Sequence, residues 1–459
     1  MSIYKACDIR GVYGEELDEE IALRLGGAIG SLLEKGEVLV GGDVRVHTPP
    51  LKEALIRGLR AWCEVIDLGI IPTPVLFFAQ RTLGIWPCVM VTASHNPPAF
   101  NGIKVMLGRL PVRPEDIVEI QRRVDQGAMS AKRELHAYRT VDLKGDYVAW
   151  IEGTFSGKFT GDPRLKVVVD AGNGCYAEIA PQVFRELGFK VMPLFCMIDG
   201  HFPNRDPNPA VPDHLSDLCA TVVATKADLG VAFDGDGDRV VFVEDRGQVV
   251  SSDQAIVLFV RHLLEAEAGE KVVYDLKCST MVRREIEARG GIPLMEKSGH
   301  AFIKRRMIVE QALFGGEISG HFFYRALGGS DDGLYSALRM GDFLRRAGRS
   351  LSKIAGDVPR LPATPDLRIP WDSADQERIL NQIAWHFPPE RVERLDGVRV
   401  QFERGWGLIR ESITEPKLTL RFEGETLSDL REVMEGFLEP VPTLRTKVLK
   451  EAERYVGGT

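Results

Sequence analysis

The chain has 459 residues, of which 44% are hydrophobic and 27% are charged, and its formal net charge at pH 7 is −8. A chain of this length exceeds what one hydrophobic core usually supports, so three or four domains are expected. The acidic balance, without a run of lysine or arginine, excludes a general nucleic-acid-binding surface, and any anionic ligand must be captured locally.

The cysteines and the amino terminus bear on the compartment. The seven cysteines are scattered, odd in number and without C-x-x-C spacing, which is typical of a reduced cytosolic protein. Residues 1–8 contain no signal-peptide core, and no run of about 20 apolar residues could span a bilayer. We therefore expect a cytoplasmic protein that does not cross a membrane.

The first predicted elements are a helix over 21–32, with apolar residues at helical spacing, and a buried strand over 37–43. The same strand pattern, a short apolar run that ends in an acidic or glycine turn, returns at 166–172 and 271–277, with a helical run at 256–263 between them. Strands that alternate with helices predict parallel α/β layers. We assign three similar domains to residues 1–145, 146–247 and 248–360.

A serine loop, residues 92–97, follows the apolar run at 88–91. It presents Ser94 where a buried strand would end, next to His95, and Lys104 follows closely enough to return to the serine. A serine displayed in this way can act as a nucleophile. Serines are common in turns, so the loop alone does not establish a catalytic site.

A metal loop, residues 234–239, carries three aspartates at alternate positions, Asp234, Asp236 and Asp238. Such a loop can turn three carboxylate oxygens toward one centre, which suits Mg²⁺ better than a metal that needs Cys or His. A calcium EF-hand also begins with spaced aspartates, but Arg239 stands where that loop needs glycine. The alternative to a metal site is a solvated polar turn. A serine, a cation site and a lysine together favour phosphoryl transfer.

A recognition loop, residues 316–321, places Glu317, Ser319 and His321 at alternate positions between glycines. In extended backbone, alternate side chains face the same way, and glycines let a ligand approach closely. The pattern predicts a loop that binds hydroxyl groups, and a solvated turn is the alternative.

The final segment differs from the others. Residues 397–402 and 417–422 alternate at period two around a turn at 404–407, which predicts an antiparallel sheet covered by a helix over about 426–438. A smaller α+β domain is therefore assigned to residues 361–459. It is expected to follow a linker that contains Pro359, Pro362, Pro365 and Pro370.

A phosphate loop, residues 410–416, combines one arginine with two hydroxyl side chains. Arg410 can bind two phosphate oxygens at once, and Ser412, Thr414 and nearby N–H groups can bind the others.

The serine, metal, recognition and phosphate loops together carry a resemblance. They occur in the order found in the α-D-phosphohexomutases and most closely resemble the phosphomannomutase/phosphoglucomutase branch of that family. The resemblance covers essentially the whole chain. It implies three similar mixed α/β domains, a smaller α+β domain with an antiparallel sheet, and an active site in the central cleft.

The resemblance implies an intramolecular phosphotransferase that interconverts hexose 1-phosphate and hexose 6-phosphate, of mannose or glucose or both. It would act through a phosphoserine and a hexose 1,6-bisphosphate, which serves as intermediate and activator. One Mg²⁺ per chain would be bound by Ser94, Asp234, Asp236 and Asp238. Catalytic roles are implied for Ser94, His95, Lys104 and Arg239. Substrate contacts are implied for Arg10, Lys277, His300, Glu317, Ser319 and His321, and phosphate contacts for Arg410, Ser412 and Thr414.

Two positions depart from the family pattern, and a third bears on the sugar specificity. Ile413 replaces an asparagine frequent in the family, and Cys7 stands where tyrosine is common, so one polar and one aromatic contact are in doubt. Inert packing is expected of Cys7, which has no activating neighbour in the sequence. Ile318 differs from the glutamine of glucosamine-specific enzymes and favours mannose and glucose phosphates.

A phosphoglucosamine mutase is the nearest alternative function. A metal-dependent sugar phosphatase is less consistent with the sequence, because a hydrolase needs no second phosphate-binding site. A non-catalytic sugar-phosphate sensor would not need Ser94, Lys104 and all three aspartates. The expected partners are hexose phosphates, without nucleic acid or membrane, and the expected state is a monomer or homodimer.

Overall fold

The computed structural model describes residues 2–33, 36–127, 135–159, 164–411 and 417–456, with side chains up to residue 453. Within these ranges the strands form one six-stranded and three five-stranded sheets, which follow one another along the chain. No helix of the described residues is long and apolar enough to cross a membrane.

The first sheet has the strand order β1-β5-β4-β2-β3-β6. Its strands are β1 (Ile9–Val12), β2 (Glu37–Gly42), β3 (Glu64–Ile70), β4 (Cys88–Val91), β5 (Phe100–Met106) and β6 (Tyr138–Thr140). The helices are α1 (Glu19–Leu33), α2 (Thr48–Leu59), α3 (Thr73–Leu83) and α4 (Pro114–Asp125). Helices α1 and α2 pack closely because Gly26 has no side chain: a Cβ there would lie 2.1 Å from the carbonyl oxygen of Leu55.

Helix α5 (Lys144–Phe155) leads into the second sheet, whose order is β11-β10-β9-β7-β8. The strands are β7 (Lys166–Asp170), β8 (Lys190–Leu194), β9 (Leu229–Phe233), β10 (Val240–Glu244) and β11 (Val249–Val250). The helices of this unit are α6 (Ile179–Glu186) and α7 (Ser216–Thr225), the latter preceded by a 3₁₀ turn at Pro212–Leu215. The antiparallel hairpin of β9 and β10 carries the metal loop at its turn.

The third sheet has the order β13-β12-β14-β15-β16. Its strands are β12 (Lys271–Asp275), β13 (Ile292–Glu296), β14 (Phe314–Gly316), β15 (Phe322–Tyr324) and β16 (Ser330–Asp331). The helices are α8 (Ser252–Leu264), α9 (Thr280–Ala288), α10 (His300–Glu310), α11 (Gly333–Ala347) and α12 (Leu351–Gly356), with a 3₁₀ turn at Arg325–Leu327. The recognition loop connects β14 to β15.

The buried strands predicted at 37–43, 166–172 and 271–277 are confirmed as β2, β7 and β12, and the predicted helices as α1 and α8. Each of these strands pairs in parallel with both neighbours and is buried on both faces, which explains the unbroken apolar runs. The prediction of parallel layers is wrong at one edge of each sheet. There an antiparallel hairpin, β4–β5, β9–β10 or β14–β15, extends the sheet.

The fourth sheet, β17-β21-β20-β19-β18, is antiparallel throughout, as predicted. Its strands are β17 (Leu367–Pro370), β18 (Val392–Glu393), β19 (Val398–Phe402), β20 (Gly405–Glu411) and β21 (Lys417–Gly424). The helices of this unit are α13 (Ser373–His386), α14 (Leu427–Leu438) and α15 (Pro442–Val456), with a 3₁₀ turn at Pro389–Arg391. Residues 405–407, predicted as turn, begin β20. Pro370, predicted in the linker, ends the edge strand β17, a position that tolerates a missing N–H.

Burial separates the fourth unit from the others. One continuous apolar cluster joins α3 and α5 to the second and third sheets, whereas the fourth sheet and its helices form a cluster of their own. A small cluster of Leu276, Trp406 and Leu408 joins the third and fourth units. The ends of the strands that carry the four loops are therefore held in one packed molecule.

Candidate active site

Ser94 lies three residues after the end of β4 and is buried, with 1% of its surface exposed. Its backbone has a φ of 52°, in the left-handed region that non-glycine residues rarely adopt. Its N–H donates to the Thr92 hydroxyl at 2.8 Å, and its Oγ donates to Asp234 Oδ2 at 2.9 Å. A strained conformation that persists is held by its surroundings, and such conformations cluster at functional sites. The serine loop and the metal loop therefore meet at this hydroxyl.

A buried arginine that the sequence analysis missed holds the serine loop in place. Arg45 is 1% exposed, and its Nε pairs with Asp43 Oδ2 at 3.2 Å. Asp43 also accepts from the hydroxyls of Thr48 at 2.6 Å and Thr92 at 2.7 Å. The Arg45 guanidinium donates to four carbonyls around the loop, those of Ser94, Asn96, Pro97 and Phe100. The acidic end of β2 was visible in the sequence, but the role of Arg45 was not.

Replacing Arg45 with methionine should lower the free energy of unfolding strongly. The four carbonyls and the Asp43 carboxylate would lose a buried donor, and breaking a buried ion pair costs about 3–5 kcal/mol. We expect a loss of about 3 kcal/mol in urea denaturation. The matched control is Arg24→Met, because Arg24 pairs with Glu20 at the surface, where the loss should stay below about 1 kcal/mol. Equal losses in the two variants would contradict the bracing role.

The metal loop brings three buried carboxylates together. One oxygen from each of Asp234, Asp236 and Asp238 lies within 4.8 Å of the others. Oδ1 of Asp236 and Oδ1 of Asp238 are buried and have no hydrogen-bond partner among the described residues. Burial raises the pKa of Asp234, and Asp238 adds to that effect. An all-oxygen donor set with two orphaned oxygens fits a hard divalent cation.

Lys104 neutralises part of this charge. Its Nζ donates to Asp236 Oδ2 at 2.7 Å and to Asp238 Oδ2 at 2.5 Å, and Thr73 Oγ1 donates to Asp236 Oδ2 at 2.6 Å. Burial opposes the charge of Lys104, but the two aspartates raise its pKa above the ordinary value. Lys104 is therefore an ammonium group that lies against the triad.

The recognition loop is a tight turn, so the prediction of an extended loop is wrong. The Glu317 N–H donates to the His321 carbonyl at 3.0 Å, and the Gly320 N–H donates to the Glu317 carbonyl at 3.1 Å. Gly320 has a φ of 94°, which a residue with a side chain would rarely adopt. Glu317 is nevertheless buried, burial raises its pKa, and its Oε2 has no partner among the described residues. That oxygen is available to a ligand hydroxyl.

His321 links the recognition loop to the metal loop. Its Nδ1 lies 2.7 Å from Asp331 Oδ2, and its Nε2 accepts from Arg239 Nε at 2.9 Å. Because Arg239 can only donate, Nδ1 carries the imidazole proton in this arrangement. Asp331 was not identified in the sequence, since only the turn of the third sheet brings it to His321. The aspartate orients the ring and accounts for the second cluster of possible metal ligands, Asp238, His321 and Asp331.

Three further predicted residues lie in or near the serine and recognition loops. His95 Nδ1 lies 3.3 Å from Ser94 Oγ, and burial lowers the pKa of His95 well below its usual value, so the ring is neutral. Arg10 donates to Asn96 Oδ1 at 2.7 Å. His300 begins α10 with its ring centroid 5.8 Å from that of His321, and burial lowers its pKa to about 3.

The remaining predicted cations lie toward the fourth unit. Lys277 Nζ donates to Asp366 Oδ2 at 2.6 Å, and Arg410 Nη1 donates to Asp396 Oδ2 at 2.6 Å. Ser412, Ile413 and Thr414 lie outside the described residues. Burial raises the pKa of the Cys7 thiol to about 12, which agrees with the inert packing expected from the sequence.

Four family models match successive parts of the chain. They are described as phosphoglucomutase/phosphomannomutase alpha/beta/alpha domains I, II and III, at residues 1–130, 146–247 and 251–361, and the C-terminal domain of the same family, at residues 372–439. The chain belongs to the phosphoglucomutase/phosphomannomutase family. This finding confirms the predicted superfamily, its fold class and the prediction of a mutase that transfers phosphate within a molecule.

Individual relatives match this chain over nearly its whole length. A phosphomannomutase/phosphoglucomutase of Pseudomonas aeruginosa is 39% identical over 443 residues, which are 95% of this chain and 94% of that protein. A probable phosphoglucosamine mutase of Methanopyrus kandleri is 36% identical and covers 94% of this chain and 96% of its own. A solved phosphoglucomutase/phosphomannomutase family protein of Burkholderia thailandensis has a TM-score of 0.87 at 34% identity, with 96% of this chain and 97% of that one covered.

Proposed function

We propose that this phosphohexomutase interconverts the 1-phosphates and 6-phosphates of mannose and glucose through a phosphoserine on Ser94. The observation that supports the proposal most directly is the 2.9 Å hydrogen bond from Ser94 Oγ to Asp234, inside a buried triad of carboxylates. Hydrolysis would need only this half of the site. The Arg410 side supplies a second cationic region, which a substrate with two phosphate positions requires.

In this proposal Asp234, Asp236 and Asp238 would hold Mg²⁺ together with the modified Ser94. Bound there, the cation would neutralise charge on the phosphoryl oxygens. Lys104 is the general acid and base: it donates a proton to Ser94 Oγ as the phosphoryl group leaves, and the neutral amine so formed takes the proton of the attacking sugar hydroxyl, so that no net proton is gained or lost. Arg239 lies beside Asp234, with Nε 3.7 Å from Oδ2, and its planar fork can pair with phosphate oxygens.

Glu317 and Ser319 bind the sugar hydroxyls, with Glu317 Oε2 as an acceptor. His321, whose ring nitrogens contact Asp331 and Arg239, holds Arg239 next to the substrate. The bisphosphorylated sugar turns over and returns its other phosphoryl group to Ser94. Arg10, Lys277, His300 and Arg410 hold the phosphate that is not reacting or the ring that carries it. The location in the cytoplasm and the state as monomer or homodimer remain predictions.

The test follows conversion of glucose 1-phosphate and mannose 1-phosphate to their 6-phosphates, with Mg²⁺ and a trace of glucose 1,6-bisphosphate. Free phosphate is measured in the same samples. Isomerisation without phosphate release supports the proposal, whereas release without isomerisation would show a phosphatase. Glucosamine 6-phosphate is assayed in parallel, because the similarity to a probable phosphoglucosamine mutase makes that enzyme the second candidate. A kcat/KM higher for glucosamine 6-phosphate than for both hexoses would favour the second candidate.

Replacing Arg410 with alanine should raise KM for glucose 1-phosphate by about 10- to 100-fold, because a charge-assisted hydrogen bond contributes about 1.5–3 kcal/mol. The kcat should change little, since Arg410 does not touch the reacting oxygen. Arg378→Ala is the matched control, because Arg378 pairs with the neighbouring exposed Asp375 in the same unit. A fall in kcat at constant KM would place Arg410 in the chemical step instead.

A further inference from the structure

Two of the cations assigned to the non-reacting phosphate, Lys277 and Arg410, are each paired with an aspartate of the fourth unit. Lys277 Nζ lies 2.6 Å from Oδ2 of Asp366, which precedes β17. Arg410 Nη1 lies 2.6 Å from Oδ2 of Asp396, which precedes β19. Neither aspartate belongs to the four loops identified in the sequence. Both carboxylates therefore occupy hydrogen-bonding positions that a phosphate would take on these cations.

Partial exposure distinguishes these two pairs from the buried ion pair that holds the serine loop. The side chains of Lys277 and Asp366 are 12% and 28% exposed, and those of Arg410 and Asp396 are 24% and 30% exposed. The bracing pair Arg45–Asp43 is 0% exposed on both sides. Ions that water can reach exchange partners at little cost, whereas a fully buried pair cannot separate without a large desolvation penalty.

The electrostatic surroundings of Asp366 favour an anion. Burial alone would raise its pKa, but Lys277, Arg421 and Arg410 together hold the pKa below the usual value, so the group is an anion. Its Oδ1 is buried without a hydrogen-bond partner among the described residues, and so is Nε of Arg410. Within the part of the chain that the structure describes, the carboxylate therefore bonds directly to Lys277 only, and the unpartnered Nε of Arg410 leaves a donor for a larger anion.

We propose that Asp366, assisted by Asp396, is a counter-ion that the non-reacting phosphate displaces from Lys277 and Arg410. By competing for these cations, the aspartates limit phosphate affinity and so allow the phosphate to dissociate. The inference rests on the proposed function, because a bisphosphorylated intermediate has to dissociate from these two cations in order to present its other phosphate to Ser94. Because a carboxylate replaces the phosphate and the reverse, the two cations always have an anionic partner. Net affinity is then the difference between two ion pairs, which keeps binding reversible.

The test compares phosphate binding by the full-length protein and its Asp366→Asn variant. Inorganic phosphate is titrated by calorimetry in metal-free buffer, so that the metal loop does not add a second site. Asparagine keeps the shape and removes the competing charge, and a partly exposed pair contributes up to about 1 kcal/mol, so Kd should fall by about fivefold. Asp375→Asn is the matched control, since it removes a carboxylate that pairs with the exposed Arg378. Arg410→Ala should abolish the binding and so locate it.

Three outcomes would overturn the inference. A Kd that rises in Asp366→Asn would show that the carboxylate positions Lys277 for phosphate. A Kd equal to that of the Asp375→Asn control, in both Asp366→Asn and Asp396→Asn, would show that neither aspartate competes. If neither the wild-type protein nor any variant binds phosphate, there is no phosphate site at Lys277 and Arg410.

Turnover separates this inference from the proposed function. If the wild-type protein isomerises hexose phosphates, Asp366→Asn should lower KM by about the same fivefold as Kd. If the wild-type protein isomerises none of them, the proposed function fails, and the calorimetric comparison still decides whether Asp366 competes with phosphate.

Discussion

Replacing Ser94 with alanine is expected to lower kcat for glucose 1-phosphate isomerisation by about 10⁴-fold or more, because it removes the oxygen that carries the phosphoryl group in the proposed mechanism. The loop itself should persist. Arg45 holds it through backbone carbonyls, and the Ser94 N–H bonds to Thr92. The substitution therefore removes only the hydroxyl's contacts with Asp234 and His95. The residue that remains at position 94 still has a positive φ, which alanine tolerates no worse than serine.

The variant is compared with Ser216→Ala, whose hydroxyl bonds to the Asp213 carbonyl at an exposed site. Melting temperatures of the two variants should match that of the wild type within a few degrees. Incubation with glucose 1,6-bisphosphate followed by mass spectrometry should add one phosphoryl group to wild type and control and none to Ser94→Ala. Turnover within tenfold of wild type in Ser94→Ala would exclude the phosphoserine route.

The parts of the site that the sequence predicted lie in contiguous loops. Ser94 and the three aspartates of the metal loop are recognisable because each loop interrupts an apolar strand with polar residues at fixed spacing. Arg45 and Asp331 were missed because their partners are remote or depend on chain reversal. Arg45 binds carbonyls about fifty residues later, and Asp331 meets His321 only across the hairpin that ends in β16. No local pattern distinguishes such residues from surface charge.

The errors in the fold have a similar physical origin. Buried parallel strands and the first antiparallel neighbour have the same apolar composition, so the mixed edges of the three sheets were invisible to periodicity. The recognition loop alternates in sequence as a strand would, yet Gly320 reverses the chain there. Helix α15 was not identified, and it follows α14 after only a few residues.

Loss of the metal should be nearly as severe as loss of Ser94. Chelation with EDTA is expected to lower kcat by about 10³-fold, reversibly on adding Mg²⁺, since charge neutralisation by a metal contributes several kcal/mol to phosphoryl transfer. Asp236→Asn should have the same effect without chelator at moderate Mg²⁺. The substitution removes one of three negative charges and leaves the unpartnered Asp238 Oδ1 with a weaker set of neighbouring ligands.

A readout independent of turnover tests the same site. The wild-type melting temperature should rise as Mg²⁺ is added, because a ligand that binds only the folded state stabilises it in proportion to the logarithm of its concentration. That rise should be lost in Asp236→Asn and kept in Asp199→Asn, whose carboxylate bonds to the exposed His201. A melting temperature that responds equally to Mg²⁺ in all three proteins would place the cation elsewhere. The buried Oδ1 atoms of Asp236 and Asp238, which have no partner among the described residues, would then have to be satisfied by water rather than by a cation.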